Sequence, residues 1–241
     1  MRQNKYGRMA KMLEAYILEM DKSLEKHVFE RLLGYVSESK RDRVGRFHRP
    51  EDAQRSLLGD VLARYAICKR LGVKNGALAF GANEYGKPLL LEPAGIHFNI
   101  SHSGSWVACA VDDHPVGIDV ELIQPIDFKI AERFFSKDEH ASLLAQPDEM
   151  KLKYFYMLWT LKESYIKAEG KGLGIPLDSF TMRLEGHGIK VAVGCEPGIY
   201  SFYQSFPGTG AICSVCTLDR EFRESTGMGI ERFLEESLLY L

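Results

Sequence analysis

One seven-residue run limits what this chain can fold into. Val116–Leu122 reads VGIDVEL, an apolar, β-branched stretch with one carboxylate, Asp119, set inside it and a second, Glu121, two places on. A strand sends residues two apart to the same face, so both carboxylates leave one face of a strand end. A carboxylate in an otherwise buried strand is costly unless it is paired or metal-bound. The second half of the chain offers a counterpart. Trp159–Gly172 reads WTLKESYIKAEGKG, and its Glu163 and Lys167 are four apart on a segment of helical period, sharing a face. Three carboxylates and a lysine can therefore converge between a strand end and a helix. That is the donor set of a hard divalent cation beside a phosphate, because Mg²⁺ takes oxygen ligands and keeps waters or phosphate oxygens. The same spacings also describe a solvated strand end and an exposed ion pair on a helix, and spacing alone leaves both open.

Composition removes other classes. A formal net charge of −2 provides no global attraction to nucleic acid or to a membrane surface, so any basic site has to be local. No apolar run reaches the ~18 residues of a membrane span. The basic start, MRQNKYGRMAK, precedes a short acidic segment and reads as a loose leader before a first strand, not as a signal peptide. Five cysteines (Cys68, Cys109, Cys195, Cys213, Cys216) are an odd number, which points to reduced cytoplasmic thiols instead of a disulfide framework. Cys213 and Cys216 form a C-x-x-C inside a strand-like run with no second pair, a poor zinc or redox motif.

Along the chain, strands are expected at Leu13–Met20, Leu78–Gly81, His97–Ile100, Ser105–Val111 and Val116–Leu122, the last two as a hairpin across Asp112–Pro115. Helices are expected at Leu24–Leu33, Ser37–Arg46, Glu51–Leu71 (stopped by Gly72), Ile130–Phe135, Lys137–Leu144 and Met150–Gly170. The Ser37–Arg46 helix carries Lys40 and Arg43 on one face. Gly86 and Pro88 flank Lys87 in a turn suited to close backbone approach by a ligand, or simply to a tight turn. Ser101-His102-Ser103-Gly104 fits anion binding or a turn held by hydroxyl-to-backbone bonds, and no G-x-S-x-G elbow supports a hydrolase. Four runs between Phe180 and Leu218 alternate as strands of a second sheet, and Ile230–Leu241 is an acidic amphipathic tail.

An internal echo bears on architecture. Arg46-Phe47, Glu51-Asp52 and Ser56-Leu57-Leu58 recur as Arg133-Phe134, Asp138-Glu139 and Ser142-Leu143-Leu144. This points to an α+β protein of two similar halves, 13–122 and 123–241 after an extension of 1–12, with a ligand cleft between them.

Taken together, GIDVE, WTLKESYIKAEGKGL, FNISHSG, YGKP and FFSKDE, in this order and spacing, resemble the 4′-phosphopantetheinyl transferases of the surfactin-synthetase-activating type, from about Leu13 to Phe180. The resemblance implies two pseudo-symmetric α+β halves, each a small sheet packed on helices, with coenzyme A held between them. It implies transfer of the phosphopantetheine arm to a serine of an acyl or peptidyl carrier protein, with release of adenosine 3′,5′-bisphosphate. By matching positions, Asp119, Glu121 and Glu163 would hold Mg²⁺ (or Mn²⁺), with Lys167 and Glu163 as catalytic residues. Lys40, Arg43, Ser56, Ser101 and His102 would hold the 3′-phosphate and adenosine end of coenzyme A, and Tyr85, Gly86, Lys87 and Pro88 would line the adenine. Asp119 and Lys167 would also face the coenzyme. Arg43 stands where the family often has lysine. The carrier would be of fatty-acid, polyketide or nonribosomal-peptide type, as in antibiotic biosynthesis. The enzyme would be cytoplasmic, with neither nucleic-acid nor membrane partners, and a monomer, since its halves already build one cleft. Carrier proteins are acidic, so an apolar patch with a basic rim is expected near the cleft, with Ile123–Arg133 and Tyr165 as candidates. Two other readings remain at this point: a Mg²⁺-dependent nuclease or phosphohydrolase, and a non-catalytic module that binds coenzyme A or carriers.

Overall fold

The computed structural model of the chain describes residues 12–185, 188–193, 196–197, 199–219, 222 and 226–241; the leader expected over 1–11 and Cys195 lie outside these residues. Two structural repeats account for most of it. The first runs β1 (Glu14–Glu19), α1 (Lys26–Leu33), α2 (Glu38–Gly45), α3 (Pro50–Leu71), the β2–β3 ribbon (Ala79–Ala82, Pro88–Glu92), β4 (His97–Ser103) and β5 (Trp106–Asp112). The second runs β6 (Val116–Leu122), α4 (Lys129–Phe134), α5 (Lys137–Leu144), α6 (Asp148–Glu169), a small sheet of β7 (Phe180–Glu185), β8 (Gly188–Val193) and β9 (Glu196–Pro197), then β10 (Ser201–Ser205) and β11 (Ala211–Thr217). In the first, β1 pairs with β5 and β5 with β4; in the second, β6 pairs with β11 and β11 with β10, all antiparallel. Each repeat carries a 22-residue helix that ends on a left-handed glycine, Gly72 or Gly170. The chain then returns: β12 (Thr226–Gly229) adds in parallel to β1, and α7 (Ile230–Ser237) buries Ile230 and Phe233 in the first core.

The layers follow from which face of each element is apolar. One core lies between α3 and the first sheet, with Leu58, Tyr65 and Val107. A second lies between α6 and the second sheet, with Phe155, Leu161 and Ile212. A third seals the two sheets face to face through Ile17, Ala108, Ile118 and Val215. Ile118 and Val120 therefore point at the first sheet, and strand alternation turns Gly117, Asp119 and Glu121 toward α6. Gly117 lets that helix sit close, since a Cβ there would lie 2.0 Å from the Ser164 carbonyl oxygen and 2.4 Å from the Ala168 nitrogen.

Several expectations are corrected. The hairpin is β4–β5, turning at Gly104, not β5–β6; Pro115 ends a turn that hands the chain to the other sheet, so Val116–Leu122 pairs with β11 of the second half. Ser101 to Ser103 belong to β4 and not to a turn. Their hydroxyls do accept backbone N–H groups, but from β6: Ser101 Oγ takes Val120 N (3.3 Å) and Ser103 Oγ takes Leu122 N (3.2 Å), and the amide Oδ1 of Asn99, two residues earlier, takes Ile118 N (2.8 Å). Alternate β4 side chains thus stand in for a neighbouring strand on the open edge of β6 and join the two repeats. The four runs expected between Phe180 and Leu218 belong to two sheets, not one, and β3, β9 and β12 were unexpected. Tyr165 is no surface candidate, because it is buried against Phe180 and Tyr200. Cys213 and Cys216 face opposite sides of β11, one in each neighbouring core, and cannot share a ligand.

Candidate active site

α6 crosses the carboxylate face of β6 and brings Glu163 and Lys167 against Asp119 and Glu121, while α2, α3 and β4 close the other side. The cleft between them encloses about 400 Å³ and is lined by Lys40, Arg43, Ser56, Ser101, His102, Asp119, Glu121, Glu163 and Lys167 among others. Nine side chains expected from distant parts of the sequence thus meet in one cavity. The remaining four do not: Tyr85, Gly86, Lys87 and Pro88 line a neighbouring hollow of about 230 Å³, which Lys167 also borders.

Asp119 is buried at 3% exposure. Its Oδ1 accepts from the Lys167 ammonium at 2.5 Å and from the Ser101 hydroxyl at 2.9 Å. Its Oδ2 is buried with no hydrogen-bond partner among the described residues. Lys167 also donates to Ser101 Oγ and to the Ile118 carbonyl. Burial works against the Lys167 charge, but Asp119, then Glu163 and Glu121, hold the ammonium above its ordinary value. Glu121 accepts from Ser103 Oγ at 2.6 Å, and burial followed by the Asp119 charge pushes its carboxyl up to about 7. Burial and Asp119 raise Glu163 as well. Three carboxyls raised by burial, with Asp119 adding to the effect at Glu121 and Glu163 and itself keeping a bare buried oxygen, are a site that a divalent cation fits, since together with Lys167 it would offset their charge and ligate the orphan oxygen. The one trio among the described residues whose ligand atoms lie within 4.8 Å of one another is Asp112, His114 and Asp219.

The opposite wall is cationic. Burial lowers both Lys40 and His102, and Arg55, Lys167 and Lys40 add to the effect at His102. Lys40 lies 3.9 Å from Asp60, which also accepts from Arg64 at 2.6 Å. Asp60, Arg55 and Trp159 were not expected at the site from the sequence, and Ser103 only as part of the Ser101–Gly104 run. Three of them had a signal: Asp60 lies one helical turn beyond Ser56, Trp159 one turn before Glu163, and Ser103 two strand residues beyond Ser101. Trp159 borders the cleft, propped by Phe134 and Phe155.

Known proteins carry the same pattern. The family model "4′-phosphopantetheinyl transferase superfamily" matches residues 115–216, and "4′-phosphopantetheinyl transferase, N-terminal" matches 23–114. The chain is 42% identical over 219 residues to 4′-phosphopantetheinyl transferase Sfp of Bacillus subtilis (strain 168), covering 90% of this chain and 97% of that one. It belongs to the Sfp-type 4′-phosphopantetheinyl transferases. Two further relatives are the transferase gsp of Aneurinibacillus migulanus (38% identical, 95% of each chain) and HetI of a Nostoc strain (36% identical, 59% of this chain and 62% of that one). The nuclease and non-catalytic readings give way to a transferase of this class. Among the described residues no helix is long and apolar enough to cross a membrane.

Proposed function

We propose that this transferase moves the 4′-phosphopantetheine arm of coenzyme A onto a serine of an acyl or peptidyl carrier protein and releases adenosine 3′,5′-bisphosphate. The observation that carries this reading is the single cleft in which three raised carboxyls and Lys167 face a wall bearing Lys40, Arg43 and His102. One wall is suited to a cation-bridged pyrophosphate and the other to a phosphate monoester, which are the two anionic parts of coenzyme A. Relatives named as phosphopantetheinyl transferases over nearly the whole chain support the same reading.

In this scheme the serine oxygen attacks the phosphorus next to the pantetheine, and the bond to the bridging oxygen breaks. Asp119, Glu121 and Glu163 would hold Mg²⁺, which supplies charge neutralisation at the pyrophosphate. Lys167, held in place by Asp119 and Ser101, donates to the departing bisphosphate. Lys40, Arg43 and His102 engage the 3′-phosphate, and Ser56 and Ser101 offer hydroxyls beside it. The serine proton passes to Glu163 or to a water that it orients. If Glu163→Gln kept most turnover at saturating Mg²⁺ with an unchanged pH profile, Glu163 would not be the base. Tyr85 to Pro88 would receive the adenine in the adjoining hollow.

The enzyme is proposed to work as a cytoplasmic monomer, and Ile123–Arg133, where Ile130 is 38% exposed, is the remaining candidate for carrier contact. Incubation with coenzyme A, Mg²⁺ and an apo carrier protein tests the function. The carrier should gain one phosphopantetheine mass while adenosine 3′,5′-bisphosphate accumulates, and EDTA should stop both. Consumption of coenzyme A without carrier modification would refute the scheme.

A further inference from the structure

Lys87 sits in a turn expected to face the adenine, but its ammonium points into the protein. It donates to the carbonyl oxygens of Val116 (3.0 Å), Lys167 (2.5 Å) and Ala168 (3.4 Å). The first of these opens β6, and the other two belong to the last turn of α6, whose carbonyls have no partner within the helix. A cation there also complements the negative end of the helix. Asn83, at the other end of the same turn, donates to the Gly170 carbonyl at 2.7 Å and accepts from the backbone of Tyr85 and Lys87. Gly170 has a positive φ of 75°, and a Cβ there would come within 3.3 Å of both Asn83 Nδ2 and Lys87 Cδ, so the contact is closely fitted. Burial lowers the Lys87 ammonium to about 8, opposed by Cys216 and Glu169, which leaves it charged at neutral pH.

We infer that Lys87 is a positioning residue: with Asn83 it straps the β2–β3 turn of the first repeat to the end of α6 and the start of β6, and so fixes where Lys167 stands against Asp119. The strap touches Lys167 through its backbone carbonyl, while the Lys167 side chain reaches the reacting phosphate. This rests on the function proposed above. It changes the part expected of Lys87, from a side chain that grips coenzyme A to one that holds the catalytic helix, and it leaves Tyr85, Gly86 and Pro88 as the turn's surface toward the base.

The test is a double-variant cycle in the carrier-modification assay. Lys87→Met should lower kcat by about tenfold or more, because displacements of about 1 Å at a reacting group have large effects. The KM for coenzyme A should stay within about threefold. In a Lys167→Ala background, adding Lys87→Met should change kcat by less than about twofold, since the strap acts through the lost side chain. Lys87→Arg, which keeps the cation, should retain more kcat than Lys87→Met. A rise in KM of about tenfold with kcat preserved would mean that Lys87 grips the coenzyme and would overturn the inference. A full additive loss on top of Lys167→Ala would reduce Lys87 to general stability and overturn it equally. Should Lys87→Met fail to fold, Asn83→Ser, which cuts the Gly170 contact, replaces it in the same cycle. The wild-type chain run alongside separates the two claims. No wild-type transfer removes the proposed function, whereas transfer with additive variants removes the strap alone.

Discussion

Gly117→Ala is the smallest change that should disable the site without touching any of its polar groups. The added Cβ would meet the Ser164 carbonyl oxygen at 2.0 Å and the Ala168 nitrogen at 2.4 Å, both of them backbone, so no side chain can swing away. Restoring an ordinary 3.4 Å contact requires β6 and α6 to part by about 1.4 Å. Overpacking of a filled core costs ~1–3 kcal/mol. The helix that must move carries Glu163 and Lys167, and the strand carries Asp119 and Glu121. A displacement of about 1 Å at reacting groups can cost ~100-fold in rate. We therefore expect a folded variant, less stable by a few kcal/mol in urea, with transfer to an apo carrier slowed about 100-fold. A variant that loses the expected stability but keeps transfer within about threefold of wild type would refute the claim that the strand–helix spacing sets the chemistry.

The buried pair Lys162–Glu139 should be structural: both side chains are fully buried, and Glu139 also accepts from the Ser136 and Met182 nitrogens. Lys162→Met, which leaves that carboxylate uncompensated, should cost ~3–5 kcal/mol in urea unfolding, and a loss below ~1 kcal/mol would contradict the reasoning. Glu121, raised to about 7, predicts a pH effect. A carboxyl whose folded value lies above its unfolded value near 4.5 stabilises the fold fully below that value and loses the contribution as pH climbs through about 7. At the proposed cation site Mg²⁺ would have to displace that proton, so the rise in melting temperature on adding MgCl2 should be small near pH ~5.5 and grow toward pH ~8. A shift that does not change over this range would count against Glu121 as part of the cation site.

The strand–helix partnership at the heart of the site was legible because each half announces itself locally. Asp119 and Glu121 share a strand face by period two, and Glu163 and Lys167 share a helix face by period four. The long helices were equally visible, with apolar positions throughout and glycines at their ends. What could not be read was pairing. Nothing local in Val116–Leu122 says that it joins β11 in place of β5, because both are fully buried seven-residue strands of similar composition. The serines of β4 looked like a turn because their partners, the N–H groups of β6, lie in another sheet. β12 was invisible for the same reason: Thr226–Gly229 is too short and glycine-rich to carry a strand signal and is held by the edge of β1. Lys87 shows the limit most sharply. Its neighbours Gly86 and Pro88 announce a turn near a ligand, and only the fold reveals that the ammonium turns away toward three carbonyl oxygens.

The most direct test of the account is the intact mass of an apo carrier protein after incubation with coenzyme A and Mg²⁺, using wild-type enzyme and Asp119→Asn side by side. Asp119 is the residue on which Lys167 and Ser101 converge and the proposed cation would rest. The account predicts one added phosphopantetheine per carrier with the wild type, and an unmodified carrier with an Asp119→Asn variant that still melts cooperatively. Full modification by Asp119→Asn would contradict it.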